Sequence, residues 1–191
     1  MVSMARALAV AGADVTVVTD GSHDLSSFDG AVLPGVGATG PAMATLTRTG
    51  LSDQIRNFDG PLLAVCVGMQ VLFEFSEEDR TNGLALLPGI VTKLETTPLP
   101  HMGWNDVVYD RDPLLGGDQA TPFYFVHSFA LRDIDHPDAA GTTSYGHETF
   151  VSVVRRGNIV GLQFHPERSS AAGLKLIDAW VDSTQLARRV A

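Results

Sequence analysis

Apolar runs alternate with segments of helical spacing along the first half of the chain. Met1–Ala11 predicts a helix that ends at Gly12, and the β-branched run Asp14–Thr19 predicts a strand. The same pattern predicts strands at Ala31–Leu33 and Leu62–Val65, and helices at Pro41–Arg48, Leu51–Asn57 and Val67–Glu77. Because strands that alternate with helices usually form parallel sheets, this half predicts an α/β fold with a mainly parallel sheet.

The second half is richer in short strands. Turn residues separate them, and Arg156–Asn158 predicts a hairpin. A last helix is predicted at Ala171–Val181, where apolar residues have helical spacing. The strands are predicted at Gly89–Leu94, Asp106–Tyr109, Pro122–Val126, Phe129–Arg132, Phe150–Arg155 and Ile159–Phe164. No repeat or linker interrupts the pattern, so residues 1–191 are predicted to form a single domain.

Composition narrows the range of functions. A hydrophobic fraction of 45% supports a sizeable core, and a net charge of −9 argues against nucleic acid or an anionic membrane as the main partner. No apolar run approaches the roughly 18 residues that a membrane span needs. The lone cysteine, Cys66, favours a reducing compartment, so we expect a cytoplasmic protein.

The strongest chemical signal surrounds Cys66. An apolar strand ends at this residue and a predicted helix begins directly after it, which is the arrangement of a nucleophile elbow. Gly68 would let the helix approach the sheet, and the helix N-terminus would favour the thiolate form of the sulfur. Gln70 follows at helical spacing and would lie beside the sulfur. A buried structural cysteine is the alternative, but the strand–Cys–helix context favours a functional one.

A second signal is the run from Gly161 to Glu167. His165 and Glu167 are two residues apart, so they share a face if the backbone is extended, and Pro166 favours that geometry at His165. A thiolate nucleophile needs a base, and the base needs an orienting acid. Together with Cys66, these residues provide the three types. Taken alone, the segment also fits a surface turn.

A glycine-rich turn, Pro34–Gly37, follows the predicted strand at Ala31–Leu33. Its two glycines, Gly35 and Gly37, would let backbone N–H groups near Val36 turn toward a developing oxyanion, with the N–H of Val67 as the other donor. A phosphate loop is the competing interpretation, but the spacing fits neither dinucleotide-binding nor P-loop patterns.

Zinc binding is a further alternative for the cysteine, histidine and glutamate set. The sequence has no second cysteine and no close histidine pair, so we expect neither a metal nor a cofactor.

These motifs resemble class I, triad-type glutamine amidotransferases, and among them the glutaminase subunits of imidazole glycerol phosphate synthase. VCVGMQ around Cys66 and QFHPE around His165 carry the likeness to the class. PHMGWN, Pro100–Asn105, is the segment that is most specific to those subunits. Similar segments run through nearly the whole chain. The resemblance implies a flavodoxin-like fold with helices on both faces of the central sheet and a smaller antiparallel sheet.

The resemblance also implies a mechanism and a partner. Cys66 would attack the side-chain amide of glutamine, His165 would move protons, and Glu167 would orient the imidazole. The ammonia would pass to a TIM-barrel cyclase subunit, which turns a phosphorylated ribulosyl aminoimidazole carboxamide intermediate (PRFAR) into imidazole glycerol phosphate and AICAR in histidine biosynthesis. The implied residues at the glutamine pocket, besides those above, are His127, Ser128 and Phe129, and those at the partner interface are His101, Met102, Gly103, Trp104, Asn105 and Arg168.

The chain departs from the family pattern at its start. Family members begin with a strand and a glycine-rich turn, whereas Met1–Leu8 corresponds to the helix that follows, so we expect the first strand to be missing from this sequence. A start codon assigned too far downstream is the favoured explanation, and truncation is the other. Arg168 stands where the family often has lysine, which keeps the charge but changes its shape.

Two other interpretations stay open at this point. The chain would also fit a class I amidotransferase subunit of a different synthase, although PHMGWN argues against that. It would also fit a truncated, non-catalytic scaffold, which the missing first strand favours and the complete triad disfavours.

Overall fold

The computed structural model describes the backbone of residues 2–109 and 120–190. Five α-helices lie in this part of the chain: α1 Val2–Val10, α2 Thr39–Arg48, α3 Leu51–Arg56, α4 Val67–Gln70 and α5 Ser170–Val190. The strands of the same part are β1 Ala31–Gly35, β2 Leu62–Cys66, β3 Phe75–Ser76, β4 Thr81–Asn82, β5 Ile90–Lys93, β6 His101–Tyr109, β7 Thr121–His127, β8 Phe129–Leu131, β9 Ala139–Tyr145, β10 Glu148–Arg156 and β11 Ile159–Leu162. None of the described helices combines the length and apolarity that crossing a membrane requires.

One mixed sheet organises the molecule, in the order β1-β2-β11-β10-β8-β5-β3-β4. Its first three strands are parallel, so the carboxyl end of β2, where Cys66 lies, meets the end of β11 that leads to His165. Strand β10 reverses the direction and pairs with β9, and β9 in turn pairs with β6 and thereby joins the β6–β7 hairpin to the same sheet. The α/β class is therefore confirmed, and the antiparallel part continues the central sheet instead of standing apart from it.

The core lies where the sheet is covered by helices. Strand β2 is buried along its whole length, because an apolar neighbour flanks it on each side and helices cover it. Helix α1 packs against α5, while α2 packs against α3 and α4, so the helices form two groups. This grouping agrees with the predicted cover on both faces. Gly12 ends α1 with a positive φ of 85°, as the sequence predicts.

Two predicted elements differ in the structure. Residues 14–19 form no strand within the described chain, because β-branched residues favour an extended backbone but a strand also needs a paired neighbour. The helix predicted at Val67–Glu77 ends at Gln70, since the carbonyl groups of Val71 and Leu72 accept hydrogen bonds from the 84–87 segment instead of continuing the helix. The sequence pattern also missed β9, whose Gly-, Thr- and Ser-rich run lacks an apolar signature.

Candidate active site

Cys66 occupies a sharp elbow between β2 and α4. Its backbone has φ 55° and ψ −112°, a conformation that is strained for a residue with a side chain and that recurs at functional sites. Glycines make the elbow possible: a Cβ on Gly68 would collide with the Leu33 carbonyl oxygen, and one on Gly35 would crowd the Gly68 amide. Because α4 is a single turn, the sulfur receives less help from a helix dipole than the sequence predicts.

The structure brings His165 and Glu167 together at the end of β11. His165 Nδ1 lies 2.9 Å from Glu167 Oε1. His165 has an extended backbone, with φ −103° and ψ 96°, as the sequence predicts. Glu167 is part of the 3-10 turn Pro166–Arg168 that follows, so a tight turn, and not a continued strand, brings its carboxylate to the ring. Two hydrogen bonds hold the turn, from the His165 amide to the Tyr124 carbonyl and from the Ser169 hydroxyl to the His165 carbonyl.

The imidazole of His165 is held in its charged form. Burial alone would lower its pKa, but the neighbouring Cys66 sulfur and the Glu167 carboxylate outweigh burial and raise the pKa to about 9. The other ring nitrogen, Nε2, makes no hydrogen bond of standard geometry to the described residues, although the Cys66 sulfur is close enough to raise the pKa. The site therefore offers an imidazolium beside the sulfur, whose Nε2–H is not engaged by another side chain.

Cys66 and His165 both line a cavity of about 350 Å³. Most of the predicted substrate-binding residues line the same cavity, namely Val36, Gly37, Val67, Gln70, His127, Ser128 and Phe129. Gly35 does not line it and serves instead to let β1 approach α4. The structure thus brings together predicted residues from four separate segments of the chain at one cavity.

The sequence missed Glu78, Pro100 and Val126, which also line the cavity. Glu78 is the chemically informative one, because burial raises the pKa of its carboxyl group while the Thr39 amide donates to it at 3.0 Å. No local motif marks this residue, since it sits in a run of acidic residues that resembles a solvated loop. The carboxylate becomes recognisable only when the fold places it at the cavity.

Two buried histidines form a relay beside the cavity. His127 Nδ1 donates to the Phe129 carbonyl at 3.0 Å, which leaves its Nε2 to accept a hydrogen bond from His101 Nδ1, also at 3.0 Å. His101 Nε2 then accepts from the amide of Asn105, whose nitrogen is fixed by its bond to the Ser144 carbonyl. Both rings are neutral, because burial lowers the pKa of His101 to about 4 and that of His127 to about 3.

This relay corrects the prediction for His101. The side chain was expected at the partner interface but is only 3% exposed, because odd positions of β6 face inward. Asn105 also turns its amide inward, toward His101. Met102 and Trp104 face outward, with 62% and 53% of their surface exposed, and Gly103 lies between them with a φ of 134°.

A patch of apolar and aromatic side chains with one arginine therefore lies on the outer face of β6 and β7 and on the turn that follows β11. We define it by four residues, Met102, Trp104, Tyr124 and Arg168. The Trp104 and Tyr124 rings meet edge to face with centroids 6.3 Å apart, and the Arg168 guanidinium lies 4.2 Å from the centroid of the Tyr124 ring. Clustered aromatic, methionine and arginine side chains are typical of protein interfaces.

Comparisons with known proteins identify the relatives of this chain. The family model described as "Glutamine amidotransferase class-I" matches residues 2–181. The relative from Moorella thermoacetica, named "Imidazole glycerol phosphate synthase subunit HisH", is 44% identical over 184 residues, which cover 93% of this chain and 87% of the relative. A relative of the same name from Synechococcus sp. (strain CC9902) is 41% identical over 187 residues, covering 94% and 87%.

Solved structures agree on the fold. A putative GMP synthase protein from Thermoplasma acidophilum superposes with a TM-score of 0.76 at 20% identity, covering 98% of this chain and 89% of that one. A structure described as a glutamine amidotransferase gives 0.74 at 17% identity, covering 96% and 93%. At these identities the likeness concerns the fold alone, whereas the sequence relatives identify the family. The chain belongs to the class I glutamine amidotransferases and, within them, to the family of imidazole glycerol phosphate synthase HisH subunits.

Proposed function

We propose that this chain hydrolyses glutamine to glutamate and ammonia and passes the ammonia to a synthase partner. One observation carries the proposal: Cys66 and His165 line the same cavity, with Glu167 bonded to the far nitrogen of the imidazole. A nucleophile, a proton carrier and an orienting carboxylate are the groups that covalent cleavage of an amide requires.

Acylation begins when the Cys66 thiolate attacks the side-chain carbonyl carbon of glutamine. The imidazolium of His165 gives its Nε2 proton to the departing nitrogen, and its raised pKa of about 9 keeps that proton available at neutral pH. The C–N bond breaks, ammonia leaves and a glutamyl thioester remains. We assign stabilisation of the developing oxyanion to backbone N–H groups in the part of the cavity wall formed by Val36, Gly37 and Val67.

Deacylation uses the same groups in reverse. Neutral His165 takes a proton from water, and the hydroxide attacks the thioester. The C–S bond breaks, the product leaves as glutamic acid and ionises, and the thiolate–imidazolium pair returns. Glu167 stays charged throughout and holds the ring by its bond to Nδ1 at 2.9 Å.

Glutamine also carries an ammonium group that must be recognised. Glu78 brings a carboxylate to the cavity, and the Oε1 atom of Gln70 has no hydrogen-bond partner among the described residues. Two acceptors on one cavity suit a cationic amine. We assign the ammonium of the substrate to Glu78 and Gln70.

The partner would bind at the exposed patch of Met102, Trp104, Tyr124 and Arg168. Apolar anchors and a cation on one face suit a protein surface with aromatic pockets and acidic groups. By the family resemblance, we propose that the partner is a TIM-barrel cyclase that uses the ammonia to convert PRFAR to imidazole glycerol phosphate and AICAR.

Glutamate release in the presence of the cyclase and PRFAR tests the proposal. We expect wild type to be active and Cys66→Ala to lose at least about a thousandfold in kcat, as removal of a nucleophile does elsewhere. Ser152→Ala is the matched control, because this buried hydroxyl lies in β10 away from the cavity lining. Retained activity in Cys66→Ala would refute the mechanism, and an inactive wild type would favour a scaffold. Co-purification with a different synthase would refute the choice of partner.

A further inference from the structure

Gln163 is a fully buried side chain that the mechanism above does not use. It has 0% of its surface exposed and lies two residues before His165, just beyond the end of β11. Its Nε2 atom points at the Cys66 sulfur, 3.8 Å away, which is hydrogen-bond distance for a sulfur acceptor. A buried amide has to satisfy both of its ends, so its orientation is informative.

The orientation of the Gln163 amide is fixed by its neighbours. The Phe129 carbonyl can only accept, so the Gln70 nitrogen, 2.8 Å away, must face it. The second hydrogen of that nitrogen goes to Gln163 Oε1, 3.1 Å away. With its oxygen so engaged, Gln163 presents its nitrogen to the sulfur. The donor and the acceptor of each hydrogen bond are therefore fixed, from the Phe129 carbonyl to the Cys66 sulfur.

The same carbonyl also anchors the histidine relay. Phe129 O accepts from Gln70 and from His127, so both of its lone pairs are used. A hydrogen-bonded chain consequently runs from Asn105 through His101 and His127 to this carbonyl, and then through Gln70 and Gln163 to Cys66. None of the amides in it can turn over without leaving a buried group unpaired.

We propose that Gln163 is a positioning residue that donates an amide hydrogen to the Cys66 sulfur and stabilises its thiolate form. This inference rests on the proposed role of Cys66 as nucleophile. The neutral donor serves both halves of the reaction, because the sulfur is anionic before acylation and leaves as an anion in deacylation. His165 cannot provide the same hydrogen bond throughout, because it gives its Nε2 proton to the departing nitrogen during acylation.

The other groups around the sulfur do not replace this donor. The Val126 carbonyl, 3.9 Å away, accepts from the thiol and has no hydrogen to offer a thiolate. The titratable or charged side chains on the elements packed against Cys66 are His165, Glu167 and Arg168 after β11, Glu78 across the cavity, and Tyr124 and His127 on β7. Strands β1 and β11 and helix α4 contribute none.

The pH dependence of alkylation by iodoacetamide tests the proposal. Cys66 is the sole cysteine of the full chain, so the alkylation rate reports its thiolate alone. Gln163→Met keeps the volume and removes the donor. We expect the pH midpoint of alkylation to rise by about one unit, so that the rate at pH values well below the wild-type midpoint falls about tenfold while the plateau at high pH is unchanged. Gln163→Glu, which replaces the donor with an acceptor, should shift the midpoint further in the same direction.

Ser152→Ala separates this role from a purely structural one. Ser152 is buried, its carbonyl accepts from the Gln163 amide and its hydroxyl accepts a hydrogen bond from the Thr143 hydroxyl. The hydrogen bonds that the described residues make with the sulfur involve Val126 and Gln163 and do not include Ser152. Ser152→Ala should lower the thermal midpoint and leave the alkylation midpoint in place. A folded Gln163→Met variant with an unchanged alkylation midpoint would overturn the proposal.

Gln70→Met provides a second route if neither Gln163 variant folds. It removes the group that orients Gln163 and should raise the alkylation midpoint by a smaller amount, whereas an unchanged midpoint would again overturn the proposal. A failure of the proposed glutaminase mechanism gives a different result from a failure of this proposal: glutaminase activity would survive in Cys66→Ala.

Discussion

The neutral His101–His127 pair should make the protein sensitive to mild acid. Both rings have a folded pKa below the 6.5 of an exposed histidine, about 4 for His101 and about 3 for His127. The unfolded chain therefore binds more protons than the folded one between these values and pH 6.5. Stability is fully present above pH 6.5 and is lost as the pH falls toward the folded pKa values.

The size of the effect follows from the two pKa values. For each ring with a folded pKa of about 3 or 4, proton linkage lowers the free energy of unfolding by about 2 kcal/mol between pH 7 and pH 5. The two rings together therefore lower the free energy of unfolding by about 2–4 kcal/mol. The lower figure applies if the native state relaxes enough to hydrate one ring. That is a large part of the about 5–15 kcal/mol by which domains are usually stable.

Urea unfolding followed by circular dichroism at pH 7 and pH 5 measures this loss. The comparison is with the double variant His101→Phe/His127→Phe, which removes both titrations and keeps the aromatic packing against Phe125 and Phe150. The Phe129 carbonyl keeps its bond from Gln70, so the double variant leaves little unsatisfied. With an m-value of about 2 kcal/mol/M, the wild-type midpoint should fall by about 1–2 M more than that of the variant.

Other titrating groups cancel in this difference. His165, with a raised pKa of about 9, contributes stability that is complete below pH 6.5 and is lost only as the pH rises toward 9. Each single variant should be less stable at pH 7 than the double, because it strands one buried partner at a cost of about 1–3 kcal/mol. Equal acid sensitivity in wild type and double variant would refute the assignment of two neutral rings.

Three further predictions concern the cavity and the patch. Gly68→Ala should destabilise the fold by about 1–3 kcal/mol in thermal unfolding and reduce glutaminase activity, because the added methyl collides with the Leu33 carbonyl. Its control, Gly157→Ala, lies in an open turn and should leave the activity unchanged. Glu78→Gln should raise KM for glutamine about tenfold with little change in kcat, and an unchanged KM in steady-state assays would remove Glu78 from the ammonium site. Trp104→Ala should weaken cyclase binding about thirtyfold in calorimetry, whereas Val108→Ala, another exposed side chain of β6, should change it less than threefold; similar losses would contradict the patch.

The elements that the sequence predicted correctly are those in which local signals and tertiary structure agree. The apolar run before Cys66 can only be a buried strand, and the glycines around it fit only a tight elbow. The strand predicted at Asp14–Thr19 failed for the opposite reason, since its propensity was sound but its pairing depends on a neighbour that local sequence does not specify. Helix α4 was overestimated because the competing hydrogen bonds come from residues 84–87.

The polar partners of the site were harder to predict, because they are defined by contacts distant in sequence. Gln70 and Gln163 meet across 93 positions, and no spacing rule connects them. His101 was placed at the surface by its position in PHMGWN, although the alternation of β6 assigns it to the interior. The sequence predicted this strand only from Asp106 onward, so the alternation that places His101 inside was not available before the structure showed that β6 begins at His101.

Strand β6 gives the site its connection to the surface. Its outward residues, Met102 and Trp104, form the patch, and its inward residues, His101 and Asn105, end the hydrogen-bonded chain that reaches the Cys66 sulfur. The two sets of side chains alternate along one strand, so the outward residues of the patch and the inward end of the hydrogen-bonded chain are neighbours in the sequence. Sequence segments such as Pro100–Asn105 therefore combine two different environments, and each residue has to be assigned to one face before a role is given to it.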